Sequence, residues 1–488
     1  MSAGALVFAA SAAVLILEIV AARVLAPFVG VTLETYTAII GVVLAGIALG
    51  ASWGGRLADR IDPHRILGPL LIAGGALALL TVPLVLFLGP PLRGGGAGAV
   101  IVLAAVGFFP PALALSAVPP AVVKLRLRDL EETGAVVGRL SAVSTAGAIV
   151  GTFVTGFVLV ATIPTRAIIL TVGLALIIGG SALHLRMGRH RREPSPTDVR
   201  LYAAAGLIGA VMTGVVQAPC DMESAYYCAE VVQDTENSSQ RTLVLDSLQH
   251  SAVDLDDPRN LQFEYTQWLA AAMDTKWSDG QALRALHIGG GGFTIPRYLQ
   301  ATRPGTFSHV MEIDPALVAL NRERLGLVTG PDLQVEVGDA RIGITQAPSD
   351  SFDLVVGDAF GGLAVPWHLT TREFTQDVRR TLKPDGMYVI NLIDGPPFRF
   401  ARGELATLRD VFTSIAVVST SPRLSGRQGG NVVLLASDAP LRLGTLSHAL
   451  KGRGVVVLSG PALDKWIGTA DVLTDDHAPV DQLMGYRS

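Results

Sequence analysis

Along the first 219 residues the apolar positions come in unbroken runs rather than in periodic stripes. Residues 5–26, 35–53, 66–88, 97–118, 140–161, 165–184 and 201–219 are each apolar over about the length that a helix needs to bridge a hydrocarbon layer of roughly 30 Å. Inside lipid every backbone amide must find its partner within the segment, so these runs predict a bundle of about seven membrane-spanning helices.

From Asp221 onward the apolar runs become short and are separated by polar turns. Residues 226–232 and 241–246 predict two strands of a hairpin around the turn 234–239, and residues 261–273 an amphipathic helix. Strands are then predicted at 285–288, 309–314, 333–337, 352–356 and 388–392. Helices are predicted at 294–302, after Pro315, and at 374–382, the last stopped by Lys383-Pro384-Asp385-Gly386. Residues 414–419, 431–435 and 454–458 read as edge strands. Alternation at this pace predicts a doubly wound α/β domain with a largely parallel sheet and helices on both faces. The chain therefore divides into a transmembrane helical domain (1–219), a β-hairpin subdomain with a helix (220–275) and a Rossmann-like nucleotide-binding domain (276–488).

Composition sharpens this division. Half of the 488 residues are apolar and only 16% are charged, which is too greasy for an ordinary soluble enzyme. The net charge of −4 and the scattering of arginine through short loops exclude a nucleic-acid-binding field. The first run contains Glu18 and Arg23, lacks a basic leader and is followed by further runs, so it reads as an uncleaved span rather than a signal peptide. Glu18 and Arg23 serve either as an intramembrane site or as a packing and anchoring pair. Loops with Arg56, Arg60 and Arg65, with Lys124, Arg126, Arg128 and Arg139, and with Arg186, Arg189, Arg191 and Arg192 alternate with loops holding only Arg93 or Arg166. The arginine-rich loops should face the cytoplasm. Cys220 and Cys228 are the only cysteines, at a spacing that fits no zinc or redox motif. They either bridge across a turn in an oxidising compartment or act as small apolar side chains.

Candidate chemistry collects where ligands bind such sheets, beyond the carboxyl ends of the strands. Gly289, Gly290 and Gly291 let a ligand approach the backbone. Glu312, ending the next strand, is placed to accept from both ribose hydroxyls. Asp339 is placed to accept from an adenine amino group, and Asp358 ends the fourth strand near the reacting centre. A lone glycine run would be weak, whereas four such signals, each at the end of its own strand, point to a bound nucleoside. No P-loop motif is present, while NAD remains open from the fold alone.

Leu245-Asp246-Ser247, Glu264-Tyr265, Ile288-Gly289-Gly290-Gly291, Met311-Glu312-Ile313-Asp314, Gly338-Asp339-Ala340, Val355-Val356-Gly357-Asp358-Ala359 and the late run from Leu473 to Asp481 resemble, in order and spacing, the spermidine synthase family. The likeness is greatest to its membrane-fused bacterial branch. The resemblance implies a hairpin domain ahead of a methyltransferase-like domain, usually dimeric. It also implies aminopropyl transfer from decarboxylated S-adenosylmethionine to an amine. By the same resemblance Glu312 holds the ribose, Asp339 and Ala340 the adenine, Asp358 is the catalytic carboxylate, and Tyr265, with Gln249 or His250, lines the acceptor site. No metal is required, because the sulfonium carries its own leaving group. Four positions depart from the family pattern, one of them His250, which with Gln249 beside it stands where the family has a glutamine after its Leu-Asp-Gly motif. Gly292 stands where an Asp meets the donor's amino end, Gly361 where a second Asp meets the acceptor, and Thr266 where a His follows the tyrosine. Loss of the acid at Gly292 opens the alternative of methyl transfer from intact S-adenosylmethionine, and the membrane mount suggests a lipid-borne acceptor as well as a soluble amine. A non-catalytic nucleotide-binding module is a further reading. Gly55-Arg56-Leu57-Ala58-Asp59-Arg60 resembles a loop signature of major-facilitator transporters, which makes a half-transporter another. Seven spans would put the soluble half outside the cell, away from the cytosolic supply of an adenosylated sulfonium, so either the last run does not cross or the domain works on the far face.

Overall fold

The computed structural model of the chain describes residues 2–93, 96–127, 129, 131, 133–188, 204, 207, 210–211 and 219–485. It separates into a helical unit ending at Cys228 and a second unit beginning at Ala229. Among the described residues six helices are long and apolar enough to cross a membrane: α1 (Ala3–Val29), α2 (Leu33–Arg60), α3 (Pro63–Leu88), α4 (Gly96–Arg126), α5 (Thr133–Thr162) and α6 (Thr165–Arg186). The protein is thus placed in the membrane as a multi-pass chain. The seventh expected span, 201–219, falls for the most part outside the described residues, as do Arg128, Arg189, Arg191 and Arg192.

Apolar side chains gain little by leaving lipid for one another, so membrane helices associate through close packing. Small residues supply it here. Gly46, Gly50 and Gly54 recur every fourth residue on α2 and face α4 at Ala112, Leu113 and Ala117, and a Cβ on Gly54 would stand 2.5 Å from the Ala117 Cα. Asp59, in the transporter-like loop motif, pairs with Lys124 at 2.9 Å and joins the ends of α2 and α4. Arg23 is not paired with Glu18. Its guanidinium donates to Glu223 at 3.2 Å, to Thr165 Oγ1 at 3.2 Å and to the carbonyls of Ala225 and Ser224. Cys220 and Cys228 form a disulfide.

The second unit opens with three antiparallel strands, β1 (Cys228–Gln233), β2 (Gln240–Leu245) and β3 (Leu248–Asp254). β3 has no counterpart in the apolar pattern. Its start, Leu-Gln-His-Ser, is polar, and the link to β2 is a two-residue turn in which Asp246 takes φ of 54°. The helix α7 (Glu264–Lys276) leads into β4 (Arg284–Ile288), α8 (Thr294–Thr302), β5 (Phe307–Glu312), α9 (Pro315–Arg324), β6 (Leu333–Val337), α10 (Ala340–Gln346) and β7 (Phe352–Gly357). After these come α11 (Arg372–Thr381), β8 (Leu382–Asp394), α12 (Arg399–Val411), β9 (Ser414–Thr420), β10 (Gly430–Ser437), α13 (Leu443–Ala449) and β11 (Val455–Ser459).

The eight strands β4 to β11 form one sheet in the order β11-β9-β10-β8-β7-β4-β5-β6. The five strands from β6 to β8 are parallel, and β10, β9 and β11 join antiparallel. Alternate residues of the central strands feed two apolar layers. Leu286, Ile288, Val355, Ile390 and Leu392 pack with α10, α11 and α12. Ala285, Leu354, Val356 and Val389 pack with α7, α8 and α13. Two expectations are corrected. Of the three late strands only β11 is an edge: residues 432–436 of β10 are all buried, the unbroken apolar run of an interior strand. Lys383 to Gly386 do not end α11 in a free turn. They bulge within β8, which pairs Leu382 with Phe352 and then Met387 with Leu354, and Lys383 reaches Asp353 at 2.7 Å.

Strand order reverses between β4 and β7, and the turns leaving these two neighbours nearly touch. Gly289 has φ of 93°, and a Cβ there would meet the Asp358 carbonyl oxygen at 2.5 Å. Gly289→Ala therefore combines a clash with a left-handed strain of order 1–3 kcal/mol. The expected result is a lower unfolding midpoint of the detergent-solubilised full chain, read by thermal denaturation.

Candidate active site

The glycine turn after β4 is stitched from within. Gly289 N donates to Met311 O at 2.9 Å, Gly290 N to Glu312 Oε2 at 2.8 Å, Gly291 N to the same oxygen at 3.4 Å, and Gly292 N to Ser251 Oγ at 2.9 Å. Phe293, with φ of 56° and fully buried, closes the turn by donating its amide to Gly290 O at 2.7 Å. The other Glu312 oxygen accepts from Asp314 N at 2.9 Å. Burial pushes the Glu312 carboxyl up, and the three backbone donors pull against that rise. A phosphate needs free amides pointing at it, and these five consecutive amides all donate inside the protein. The turn suits a nucleoside better than a dinucleotide's diphosphate.

Asp339, at the end of β6, caps α10 by accepting from Arg341 N at 2.8 Å, and His368 Nε2 stands 3.4 Å from the same carboxylate. Ala340 is buried as the first residue of that helix. The late motif secures this corner: Asp475 accepts from Arg341 at 2.6 Å and from Thr371 Oγ1 at 2.7 Å, linking α10 to the start of α11.

Asp358 lies just past β7, its amide bonded to Ile288 O across the switch point. One carboxylate oxygen accepts from Asn391 Nδ2 at 2.8 Å and the other from Tyr265 OH at 3.2 Å. Asn391 is held in turn by Asn431, which donates to its side-chain oxygen at 3.0 Å. Burial raises Asp358 to about 6, although both hydrogen bonds favour its charged form. Tyr265 is pushed well above its usual range, chiefly by burial and further by the neighbouring carboxylate. A carboxylate poised near neutrality can take a proton from a substrate and give it up again.

Beside this carboxylate opens a cavity of about 350 Å³ lined by Leu248, Gln249, His250, Phe263, Tyr265 and Phe360, with Asn391 and Asn431. His250 packs edge-on to Phe360, 5.6 Å between ring centres, and burial lowers it to about 4, so it is neutral at physiological pH. A larger cleft, about 630 Å³ around Arg379, Arg380 and Lys383, contains none of these residues. Among the described residues no group of three or more His, Cys, Asp or Glu side chains is arranged to hold a metal ion.

The structure thus gathers Tyr265, Gln249 and His250 around one cavity, holds Asp358 behind its wall through Tyr265 and Asn391, and sets Glu312 against the glycine turn that abuts Asp358. Asp339 and Ala340 stand one strand further out. Sequence reasoning missed Asn391, Asn431, His368 and Ser251. The first two sit within apolar strands, β8 and β10, where an isolated polar residue with a buried side is the available signal. His368 and Ser251 carry none.

No protein-family model matches the chain. It is 28% identical over 214 residues to the polyamine aminopropyltransferase of Vibrio vulnificus, covering 41% of this chain and 69% of that one. It is 30% identical over 165 residues to the polyamine aminopropyltransferase of Chromobacterium violaceum, covering 34% and 62%. The chain is homologous to the spermidine synthase, or polyamine aminopropyltransferase, family. Polyamine aminopropyltransferase 2 of Streptomyces coelicolor is 27% identical over 372 residues, covering 71% of this chain and 65% of that one. That alignment is longer than the second unit, so the likeness runs into the helical unit. The chain spans roughly two thirds of the length of these relatives, and less than that of two of them.

The Glu312 geometry yields a prediction. Its two oxygens face backbone donors on opposite sides, so in Glu312→Gln the amide nitrogen must meet an N–H whichever way the side chain flips. The expected cost is about 1–3 kcal/mol, seen as a lower thermal midpoint together with weaker binding of adenosine-containing ligands by calorimetry.

Proposed function

We propose that this protein is a membrane-anchored alkyltransferase that moves an aminopropyl group from decarboxylated S-adenosylmethionine to an amine. The observation that carries the reading is Asp358: a carboxylate raised to about 6, abutting the glycine turn and held by Tyr265 and Asn391, two residues that line the adjoining cavity. Homology to the polyamine aminopropyltransferases supports it.

In this reading Glu312 accepts from the ribose hydroxyls, and Asp339 and Ala340 meet the adenine. The acceptor enters between Phe263, Phe360, Gln249 and His250. Its nitrogen must be uncharged to attack, and Asp358 takes the proton it sheds. The nitrogen lone pair forms a bond to the propyl carbon next to sulfur, the C–S bond breaks, and its electron pair stays on sulfur as methylthioadenosine departs. Rate comes mainly from alignment in a partly dry cavity. Tyr265 fixes the carboxylate and narrows the cavity, and the neutral His250 adds no positive charge that would repel an amine.

Methyl transfer is the second reading, favoured by one feature. Opposite Gly292 stands the Ser251 hydroxyl rather than an acid, and a Cβ on Gly292 would meet the Ser251 Cβ at 2.8 Å. No carboxylate from that position repels the carboxylate of intact S-adenosylmethionine.

Incubation of the purified full chain with either donor and a panel of amines separates the readings. Methylthioadenosine is expected, whereas S-adenosylhomocysteine alone would replace this proposal with methyl transfer. Asp358→Asn should lower turnover by about 10² to 10⁴ with donor binding retained, and unchanged turnover would remove Asp358 from the chemistry. At saturating acceptor, kcat should fall as the pH drops through about 6, where Asp358 is protonated. Tyr265→Phe deletes a hydrogen bond that stabilises the charged carboxylate, so it should shift that acidic limb to higher pH.

A further inference from the structure

Consecutive spans alternate in direction. The connections after α1, α3 and α5 therefore lie at one end of the helical unit, and those after α2, α4 and α6 at the other. Among the described residues the second end bears Arg56, Arg60 and Arg65, then Lys124, Arg126 and Arg139, then Arg186, whereas the first has Arg93 and Arg166 in its connections. Short loops rich in arginine and lysine stay in the cytoplasm. The arginine-poor end is then the outer one.

The segment that leaves the helical unit is fastened at that outer end. The Glu223 carboxylate accepts from the Thr165 amide at 3.2 Å and from its hydroxyl, and Thr165 is the residue that opens α6. It also takes Arg23, in the last two turns of α1, at 3.2 Å. Arg23 reaches on to the carbonyls of Ser224 and Ala225. Yet α6 runs toward the arginine-rich end, about 33 Å away at 1.5 Å per residue. The end of α6 and the Glu223 anchor therefore stand at opposite ends of the helical unit, and residues 201–219 have the apolar length for one crossing.

The disulfide is an independent observation. Cys220 and Cys228 bracket the Glu223 anchor with Cα atoms 5.5 Å apart, and such bonds persist in oxidising compartments but not in a reducing cytosol. Ala229, where the second unit begins, follows Cys228 directly.

We propose that the Asp358 site works on the extracytoplasmic side of the membrane and draws its acceptor from amines present there. This sidedness stands whatever reaction the site performs. Joined to aminopropyl transfer, on whose reading this clause rests, it places the enzyme after a step that carries a cationic sulfonium nucleoside across the bilayer.

The test uses the full chain in spheroplasts. Its native cysteines are joined, so one added cysteine is the reactive thiol. Val328→Cys sits at a position 79% exposed in the second unit, and Arg60→Cys at the arginine-rich end. A membrane-impermeant maleimide should label Val328→Cys in intact spheroplasts and Arg60→Cys only after permeabilisation. The reverse pattern would overturn the proposal. In the wild-type chain, acid-quenched cells should yield Cys220 and Cys228 that alkylate only after reduction, and free thiols there would count against it equally. Labelling does not depend on turnover, so an inactive chain labelled from outside would sink the aminopropyl reading and leave the sidedness standing.

Discussion

A single buried carboxylate organises the ligand edge of the second unit. Glu312 holds Gly290 and Gly291 with one oxygen and Asp314 with the other, so the ends of β4 and β5 and the start of α9 are fixed relative to one another. Because Gly289 rests against the Asp358 carbonyl, the same fixation extends to β7 and its carboxylate. Withdrawing Glu312 from water is costly, and the three amides offset that cost with hydrogen bonds to a charged acceptor. The group proposed to meet a ligand's sugar is thus also the brace that shapes the glycine turn.

The helical unit rests on a different economy. Its contacts are close approaches of backbone, as at Gly54 against Ala117, and it seats its polar cluster at one end, where Arg23, Thr165 and Glu223 satisfy one another. Long apolar helices convey membrane residence at once. Sidedness needs tertiary contacts, since it depends on which helix ends Glu223 reaches.

Much of this was legible in the sequence for physical reasons. Parallel strands buried on both faces announce themselves as short apolar runs, so β4, β6 and β7 were placed within a residue or two, and α8 to the residue. The helix after β6 and the strand β3 went unseen, the first because it is short, the second because its polar start hides a half-buried pattern. The late strands read as edges in the sequence because nothing local says which neighbours a strand will find. In the site, acids and glycines at strand ends were visible through position alone. Asn391 and Asn431 were not, since their chain Asn431 to Asn391 to Asp358 exists only once β10 lies beside β8. The pairing of Arg23 was likewise hidden, its partner lying 200 residues away.

The closed hydrogen-bonding of the glycine turn bears on what the pocket refuses. ATP shares the adenosine head and is abundant wherever metabolism is active, and proteins that seize it do so largely through its phosphate tail. Here that tail would arrive at amides already engaged and beside the carboxylates of Glu312 and Asp358. In the proposed reading an adenosine bearing a cationic sulfur would meet neither obstacle, and selectivity against the commonest adenine compound would lie in the main chain itself.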